Sequence, residues 1–315
     1  MSGQAIPFQL TILGTSSALP TSSRYPTAQV LNVSGRFFLI DCGEGTQTQM
    51  RKYNIGFSKI NHIFITHLHG DHIFGLIGLI STMVLLGRKN DLHIFSASEI
   101  QKYLNPQIQF LYAEEIPFRI VFHPLNFKKE QQIFEDKSVK VYSFPLSHRI
   151  PTCGFRFVEK PKLPNLIPEK LEEYQIPIRD RQRIKEGGDF VTEDGRIIPN
   201  DELTINKHPA RSFAFCSDTR FDESYIESVR NVDLLYHEAT FAEDNQKLAT
   251  ETYHSTGKDA ATVAQKAKVG KLIIGHFSAR YKDHLTILKE AQKVFPNTEA
   301  IAEGDVFMIQ EISNE

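Results

Sequence analysis

The sequence predicts a layered α/β protein in which one large domain spans residues 1–315 and carries an insertion over 157–201. Three observations predict it. Short apolar runs of strand length alternate with helix-forming segments in both halves of the chain, which favours sheets covered by helices over a helical bundle. Several of those runs end in histidine or acidic residues. Between 157 and 201 the pattern breaks: Pro161, Pro164, Pro168 and Pro177 intervene and charged residues become frequent.

Taken in order, Phe8 to Leu13 reads as a strand that runs into the small-residue loop Gly14-Thr-Ser-Ser-Ala-Leu-Pro20. Thr27 to Val33 and Arg36 to Ile40 form a hairpin about Ser34-Gly35, and the acidic, glycine-rich turn Asp41-Cys-Gly-Glu-Gly45 leads to a helix over Thr46 to Tyr53. Ile60 to Thr66 is an apolar strand, His67 to Asp71 a turn, and His72 to Leu86 one buried helix. Leu92 to Phe95, Phe118 to Phe122 and Val139 to Phe144 are further strands, with a helix beginning near Ser98. Within the excursion only Glu169 to Tyr174 offers a helix. Beyond it come strands at Ser212 to Cys216, Asp233 to Tyr236 and Lys271 to Ile274, helices at Lys258 to Lys268 and Asp283 to Val294, and a terminal turn and strand within Ala300 to Ile309.

Composition narrows the class. A hydrophobic share of 41% and a charged share of 23% are those of an ordinary globular protein without long disordered tracts. Cys42, Cys153 and Cys216 are far apart and make neither a disulfide framework nor a thiolate metal cluster, which fits a reducing compartment. No basic segment followed by an apolar run opens the chain, and the apolar stretch from His72 to Leu86 is too short to span a bilayer, so cytoplasm without membrane attachment is expected. The formal net charge of -2 supplies no global field for a polyanion. A local basic surface is still available, and its best linear candidate is Arg179-Asp-Arg-Gln-Arg-Ile-Lys185.

The strongest chemical signal is Thr66-His67-Leu68-His69-Gly70-Asp71-His72, directly after an apolar strand. Isolated histidines are usually solvated or hydrogen-bonded, but four nitrogen and oxygen donors packed into six positions of one turn point to metal ligation. Gly70 is expected to relieve crowding where the ligand side chains converge. These donors are too few for two sites, so distant ones must complete them, and His148, Asp218 and His276 each stand at or just past a predicted strand end. This gives His67, His69 and His148 to one metal, Asp71, His72 and His276 to a second, and Asp218 to both. Two such cations activate a shared water and accept charge on substrate oxygens. Asp71 either handles that water's proton or is purely a ligand. His254 is not needed by either metal; it serves as hydrogen-bond or proton donor to a leaving oxygen, with Glu238 orienting it, or else packs at a helix start.

Leu13-Gly-Thr-Ser-Ser-Ala-Leu-Pro20, Phe38-Leu-Ile-Asp-Cys-Gly-Glu-Gly-Thr-Gln47, the histidine turn, Ser217-Asp-Thr219, His237-Glu-Ala-Thr-Phe241 and Gly275-His-Phe-Ser278 follow one another in an order that resembles the short form of ribonuclease Z, the transfer-RNA 3′ processing endoribonuclease. The histidine turn specifies the wider metallo-beta-lactamase superfamily, and the other pieces separate this family from most lactamases, thioesterases and lactonases. The resemblance covers nearly the whole chain. It implies a four-layer αβ/βα metallo-beta-lactamase fold with an inserted exosite arm, two Zn2+ per chain with Mn2+ or Co2+ as substitutes, and a homodimer. The substrate it implies is precursor transfer RNA, cut after the discriminator nucleotide by metal-assisted attack of hydroxide to leave a 3′ hydroxyl. The metal assignments above match the family's positions, and His254 falls at its additional catalytic histidine.

By the same resemblance the excursion after Gly154 is a flexible arm that grips the transfer-RNA elbow across the dimer, with phosphate contacts from Arg156, Lys160, Lys162, Lys170, Arg179, Arg181, Arg183 and Lys185. The loops about Ser17 to Ser23 and Phe277 to Arg280 would help bind the single-stranded tail. This chain departs from the common bacterial pattern at Ile176-Pro-Ile-Arg179, where a proline-proline-glycine-proline type segment is expected. Two other classes compete: a metallohydrolase of small phosphodiesters, thioesters or lactones, and a non-catalytic RNA-binding protein.

Overall fold

A computed structural model describes residues 7–112, 116–161, 163–205 and 210–310. Two seven-stranded sheets carry the main body, which is formed by Met1–Val158 together with Arg211–Glu315. The first sheet contains β1 (Phe8–Gly14), β2 (Ala28–Val33), β3 (Arg36–Ile40), β4 (Ile60–Phe64), β5 (Leu92–Ser96) and β6 (Ile120–Pro124). Strands β1 to β3 are antiparallel and β3 to β6 are parallel. The hairpin between β2 and β3 forms as the sequence predicts, with Ser34 (φ 54°) and Gly35 (φ 82°) both left-handed as its tight turn requires.

The second sheet begins with β7 (Gln131–Glu135), β8 (Val139–Leu146) and β9 (Thr152–Glu159). The chain then forms a separate unit, Glu159–Ala210, and returns through β14 (Ser212–Cys216), β15 (Leu234–Glu238), β16 (Lys271–Gly275) and β17 (Thr298–Ala300); the separate unit holds the short strands β10 (Asn165–Leu166), β11 (Phe190–Val191), β12 (Ile197–Ile198) and β13 (Thr204–Ile205). Strands β14 to β17 are parallel. The last strand, β18 (Val306–Met308), crosses back to the edge of the first sheet beside β1.

Strand alternation divides the apolar side chains between two cores. Leu31, Phe38, Ile40, Phe64 and Phe95 face the second sheet and meet Phe155, Phe157, Phe213 and Phe215. Phe64 and Phe157 lie edge to face, 5.5 Å between centroids. Val30, Leu39, Ile63 and Ile94 point the other way, under helices α1 (Thr46–Lys52), α3 (Leu76–Leu85) and α4 (Ile100–Leu111), which follow the one-turn α2 (Gly70–Ile73) at its place in the chain. After α8 (Gln246–Thr252), helices α9 (Gly257–Ala267) and α10 (Leu285–Val294) cover the second sheet. A capping box of Thr256 and Asp259 starts α9, and its small face of Ala260, Ala261, Ala264 and Ala267 lets it lie close to the strands. The layers are therefore helix, sheet, sheet, helix.

The single helix expected from His72 to Leu86 is instead two. The turn after β3 cuts into it: the Cys42 amide donates to the His72 carbonyl, which a continuous helix would have used itself, and the Gly75 amide donates to the Cys42 carbonyl. A Cβ at Gly75 would lie 2.1 Å from the Gly43 carbonyl oxygen, so only glycine admits this approach. Strand β9 also runs through Phe157, which is buried in the inter-sheet core, so residues 157 and 158 belong to the main body.

In the unit Glu159–Ala210, α5 (Pro168–Glu173), α6 (Ile178–Lys185) and α7 (Asn200–Leu203) surround a small core of Ile176, Ile184, Phe190, Ile198 and Leu203. Helix α6 replaces what reads as irregular chain. Two of the prolines that suggest interruption start helices here, Pro168 opening α5 and Pro177 capping α6, and Pro199 caps α7. Among the described residues no helix is long and apolar enough to cross a membrane.

Candidate metal centre

The metal-ligand candidates meet where strands of both sheets end. His67 and His69 follow β4, His148 follows β8, Asp218 follows β14 and His276 follows β16, while Asp71 and His72 sit on α2. Their donor atoms form two groups. In one, the His69 Nδ1 lies 3.0 Å from the His67 Nε2 and 3.3 Å from the His148 Nε2. In the other, the Asp71 Oδ2 lies 3.5 Å from the His72 Nε2 and 3.4 Å from the His276 Nε2. Asp218 stands between them: its Oδ2 is 3.6 Å from His67 and 3.9 Å from His148, and its Oδ1 is 3.3 Å from both His72 and His276. His67, His69, His148 and Asp218 thus form one group and Asp71, His72 and His276 another, with Asp218 also close to His72 and His276.

The far side of four of these imidazoles is tied down, which sets the nitrogen each presents. His72 donates through Nδ1 to the Asp41 Oδ2 at 2.7 Å, His148 to the Tyr253 carbonyl at 2.9 Å, His67 to the Thr66 hydroxyl at 3.0 Å and His276 to the Thr240 hydroxyl at 3.0 Å. Asp41 is fully buried and also accepts from the Thr66 amide at 2.8 Å. It was not a candidate from the sequence, although the turn Asp41 to Gly45 at a strand end was the available signal. Asp41, Tyr253 and His276 all have left-handed backbone, as does Ala18, whose amide donates to the Asp71 Oδ2 at 2.8 Å. Such strain costs about 1–3 kcal/mol per residue and collects at functional sites.

The donor set fits divalent cations. The His72 Nε2 is buried, aimed at two carboxylates and without a hydrogen-bond partner. Burial holds His67, His69 and His148 below the ordinary histidine range, so they offer neutral nitrogens. Burial opposes a charge on His72 too, but Asp71, Asp218 and Asp41 outweigh it and raise its pKa. Asp218 moves the other way, its burial overcome by His276, His72 and His67. A cavity that forces a proton onto a histidine to balance buried carboxylates is one that a cation stabilises. The cluster is therefore one that could hold a metal ion.

Beside it lies the pair His254 and Glu238. The His254 Nδ1 is 2.9 Å from the Glu238 Oε1, which also accepts from the amides of Ser255 and Thr219, while the Oε2 accepts from the Thr240 amide and hydroxyl. Glu238 is fully buried at the end of β15, so its position is fixed. His254 also comes close enough to Asp218 and His276 to form a third possible ligand group with them. Ser17, Ala18, Gly70, Phe74, Arg149 and Thr252 join His69, Asp71, His148, Asp218 and His254 around an open cleft of about 460 Å³. A larger hollow of about 920 Å³, lined by Asp91, Tyr112, Phe118 and Arg119, has no such cluster among the described residues.

Gly70 does not serve the purpose read from the sequence. A Cβ there would come within 2.2–2.8 Å of three ring carbons of Phe74, so the glycine makes room for that ring and not for converging ligands. The proposed basic surface also changes. Because successive helical residues are about 100° apart, α6 sends Arg179 and Arg183 to one side and Arg181 and Lys185 to the opposite side. Arg179 and Arg183 each lie 3.6 Å from Asp180. Lys170 pairs with Glu173 and Glu202, and Arg156 sits in β9, bonded to Glu130 and stacked on Tyr142, outside the separate unit. Lys160 lies in the separate unit, and Lys162 is outside the described residues.

The chain is similar to several known proteins. Residues 8–161 match the family model described as anti-Pycsar protein Apyc1, just under half of the chain. A protein named ribonuclease Z from Bacteroides fragilis (strain YCH46) is 48% identical over 291 residues, covering 92% of this chain and 95% of the relative. The crystal structure of human tRNase Z, short form, superposes with a TM-score of 0.70 at 27% identity, covering 96% of this chain and 99% of that one. The metallo-beta-lactamase fold protein YhfI from Bacillus subtilis shares the fold with a TM-score of 0.66 at 18% identity, covering 96% and 99%.

The His254 and Glu238 pair gives a testable titration. Burial opposes the His254 charge, but the Glu238 carboxylate and its hydrogen bond prevail and push the pKa up to about 9. In metal-free protein His254 is therefore protonated at neutral pH and loses its proton as pH rises through that value. Glu238→Gln removes the strongest of the charges that favour the proton and leaves only Asp218 and Asp71 to oppose burial. NMR titration of the imidazole should then show the pKa falling toward the ordinary 6.5; an unchanged value would show that Glu238 does not hold the proton there.

Proposed function

The chain belongs to the ribonuclease Z family, and on that premise we propose that it releases the 3′ trailer of precursor transfer RNA by hydrolysing one phosphodiester bond, leaving a 3′ hydroxyl on the transfer RNA. The observation that carries this reading is the two-sided carboxylate of Asp218, with one oxygen toward each histidine group. We assign one Zn2+ to His67, His69 and His148, a second to Asp71, His72 and His276, and Asp218 to both. Mn2+ or Co2+ suits the same mixed nitrogen and oxygen donors. Divalent cations bound there lower the pKa of a water and accept charge that develops on phosphoryl oxygens.

The protein's own side chains supply orientation and proton transfer. The contacts of Asp71 with Ala18, His72 and His276 all fall on Oδ2, so Oδ1 is the oxygen suited to receive the proton of the attacking water. Glu238 holds His254 by its Nδ1, which leaves the other ring nitrogen suited to donate a proton to the departing ribose 3′ oxygen. RNA duplex shape, read through phosphates, presents the single-stranded tail. The unit Glu159–Ala210 supplies such contacts, as the inserted arm of the resemblance, through the exposed sides of α6. The protein works as a cytoplasmic homodimer; sedimentation as a monomer would reject the dimer.

End-mapping of the products from one precursor transfer RNA, with metal content measured on the same preparation, tests the reading. The wild type should yield a single cut after the discriminator nucleotide. Asp218→Ala should lose metal from both positions and reduce turnover by at least about a thousand-fold. Cleavage of small esters with precursors left whole would favour the small-substrate hydrolase, and full activity of the variant would reject the bridging assignment.

Replacing Arg179, Arg181, Arg183 and Lys185 together tests the arm. Precursor binding should weaken while hydrolysis of a small diester is kept, and the slope of log affinity against log salt should become shallower by about one for each phosphate no longer neutralised. An equal decrease on both substrates would mean damage to the fold instead.

A further inference from the structure

The cleft beside the metal cluster has an aromatic wall with no assigned task. The chain has 23 phenylalanines, and only Phe74 and Phe110 are exposed; of these only Phe74 lines this cleft, with 56% of its surface open. It stands at the end of α2, immediately after His72 and Ile73, where burial in the core under α3 would be the ordinary fate of an apolar side chain. The break between α2 and α3 follows it at Gly75. Its ring lies against the backbone of Gly70 so closely that a Cβ there would reach three of its carbons. Tyr103 flanks it at a centroid distance of 6.4 Å.

We propose that Phe74 is the stacking platform for a nucleobase next to the scissile phosphate, and so sets where the tail lies relative to the metal cluster. This rests on the processing reading above. The physical case has three parts. An exposed aromatic face in an open cleft is suited to a flat, sequence-tolerant partner, and nucleobases of single-stranded RNA are such partners. Arg149 lines the same cleft and supplies a cation for the phosphate backbone that accompanies each base. Finally, the ring is seated on the same short segment, Gly70 to Phe74, that carries Asp71 and His72. A base resting on it is therefore registered to the metal ligands through one rigid turn rather than through a distant loop. Backbone contacts fix the strand, the ring fixes the nucleotide step, and the bond presented to the cluster is the one beside the stacked base.

The test pairs a protein change with an RNA change. Phe74→Ala, Phe74→Leu and Phe74→Trp are compared with wild type on an intact precursor transfer RNA and on precursors carrying one abasic ribonucleotide on either side of the cleavage point. On the intact precursor Phe74→Ala and Phe74→Leu should lower kcat/KM by about ten- to a hundred-fold, Phe74→Trp should restore it, and end-mapping should show cleavage spread over neighbouring bonds. On one of the abasic precursors, wild type and Phe74→Ala should be equally slow, because the base that stacks is already missing. Metal content should be the same in all variants. If Phe74→Ala is impaired by the same factor on intact and on both abasic precursors, the ring acts only by packing the metal turn and the stacking assignment is overturned. A wild-type enzyme that leaves the intact precursor whole overturns the processing reading itself, and this inference with it.

Discussion

Asp218 can face two histidine groups only because its carboxylate is held almost entirely out of water, at 2% exposure, between chain segments that are distant in sequence. A buried carboxylate is costly unless charge and hydrogen bonds answer it. Here the answer comes from both sides at once: His67 and His148 approach one oxygen, His72 and His276 the other, and Ser217 and Thr66 link the aspartate's own loop to the turn after β4. The remaining features of the site follow from keeping that carboxylate in place. Asp41 and Thr240 hold the imidazoles by their far nitrogens, and left-handed backbone at Asp41 and His276 aims the two side chains.

The sheets make this convergence possible. In each, a block of parallel strands ends on the same side, so the loops after β3 and β4 and those after β14, β15 and β16 open toward one another. Asp41, His67, Asp218, Glu238 and His276 are all placed by this rule, which also governs where ligands bind in other open α/β sheets. The phenylalanine layer between the sheets fixes their separation. A chain with loops so placed can vary what it binds through added segments while the sheet ends keep the chemistry, and the separate unit Glu159–Ala210, inserted between β9 and β14, is such an addition.

Much of this was legible in the sequence because chemistry and local structure coincide. His67, His69, Asp71 and His72 crowd one turn after an apolar strand, and His148, Asp218 and His276 stand at strand ends. Asp41 was not legible as a partner: a single carboxylate in a glycine turn has no spacing that ties it to His72. The break after α2 was hidden because it is made by a close approach of Gly75 to Gly43, which no periodicity records. For the same reason Phe74 reads as one more apolar residue in an apolar run. Helix α6 was missed because prolines mark helix starts as well as interruptions, and its charges, contiguous in sequence, separate once the helix turns them apart. The family resemblance named the partner that composition argued against: a net charge of -2 says nothing about a local site with cations in it.

Anomalous diffraction at the zinc edge from crystals of the metal-loaded protein measures directly whether two cation positions are separated by one aspartate. Two peaks are expected, one among His67, His69 and His148 and one among Asp71, His72 and His276, with the Asp218 oxygens divided between them. A single peak, or density centred on His254 with neither histidine group occupied, would contradict it.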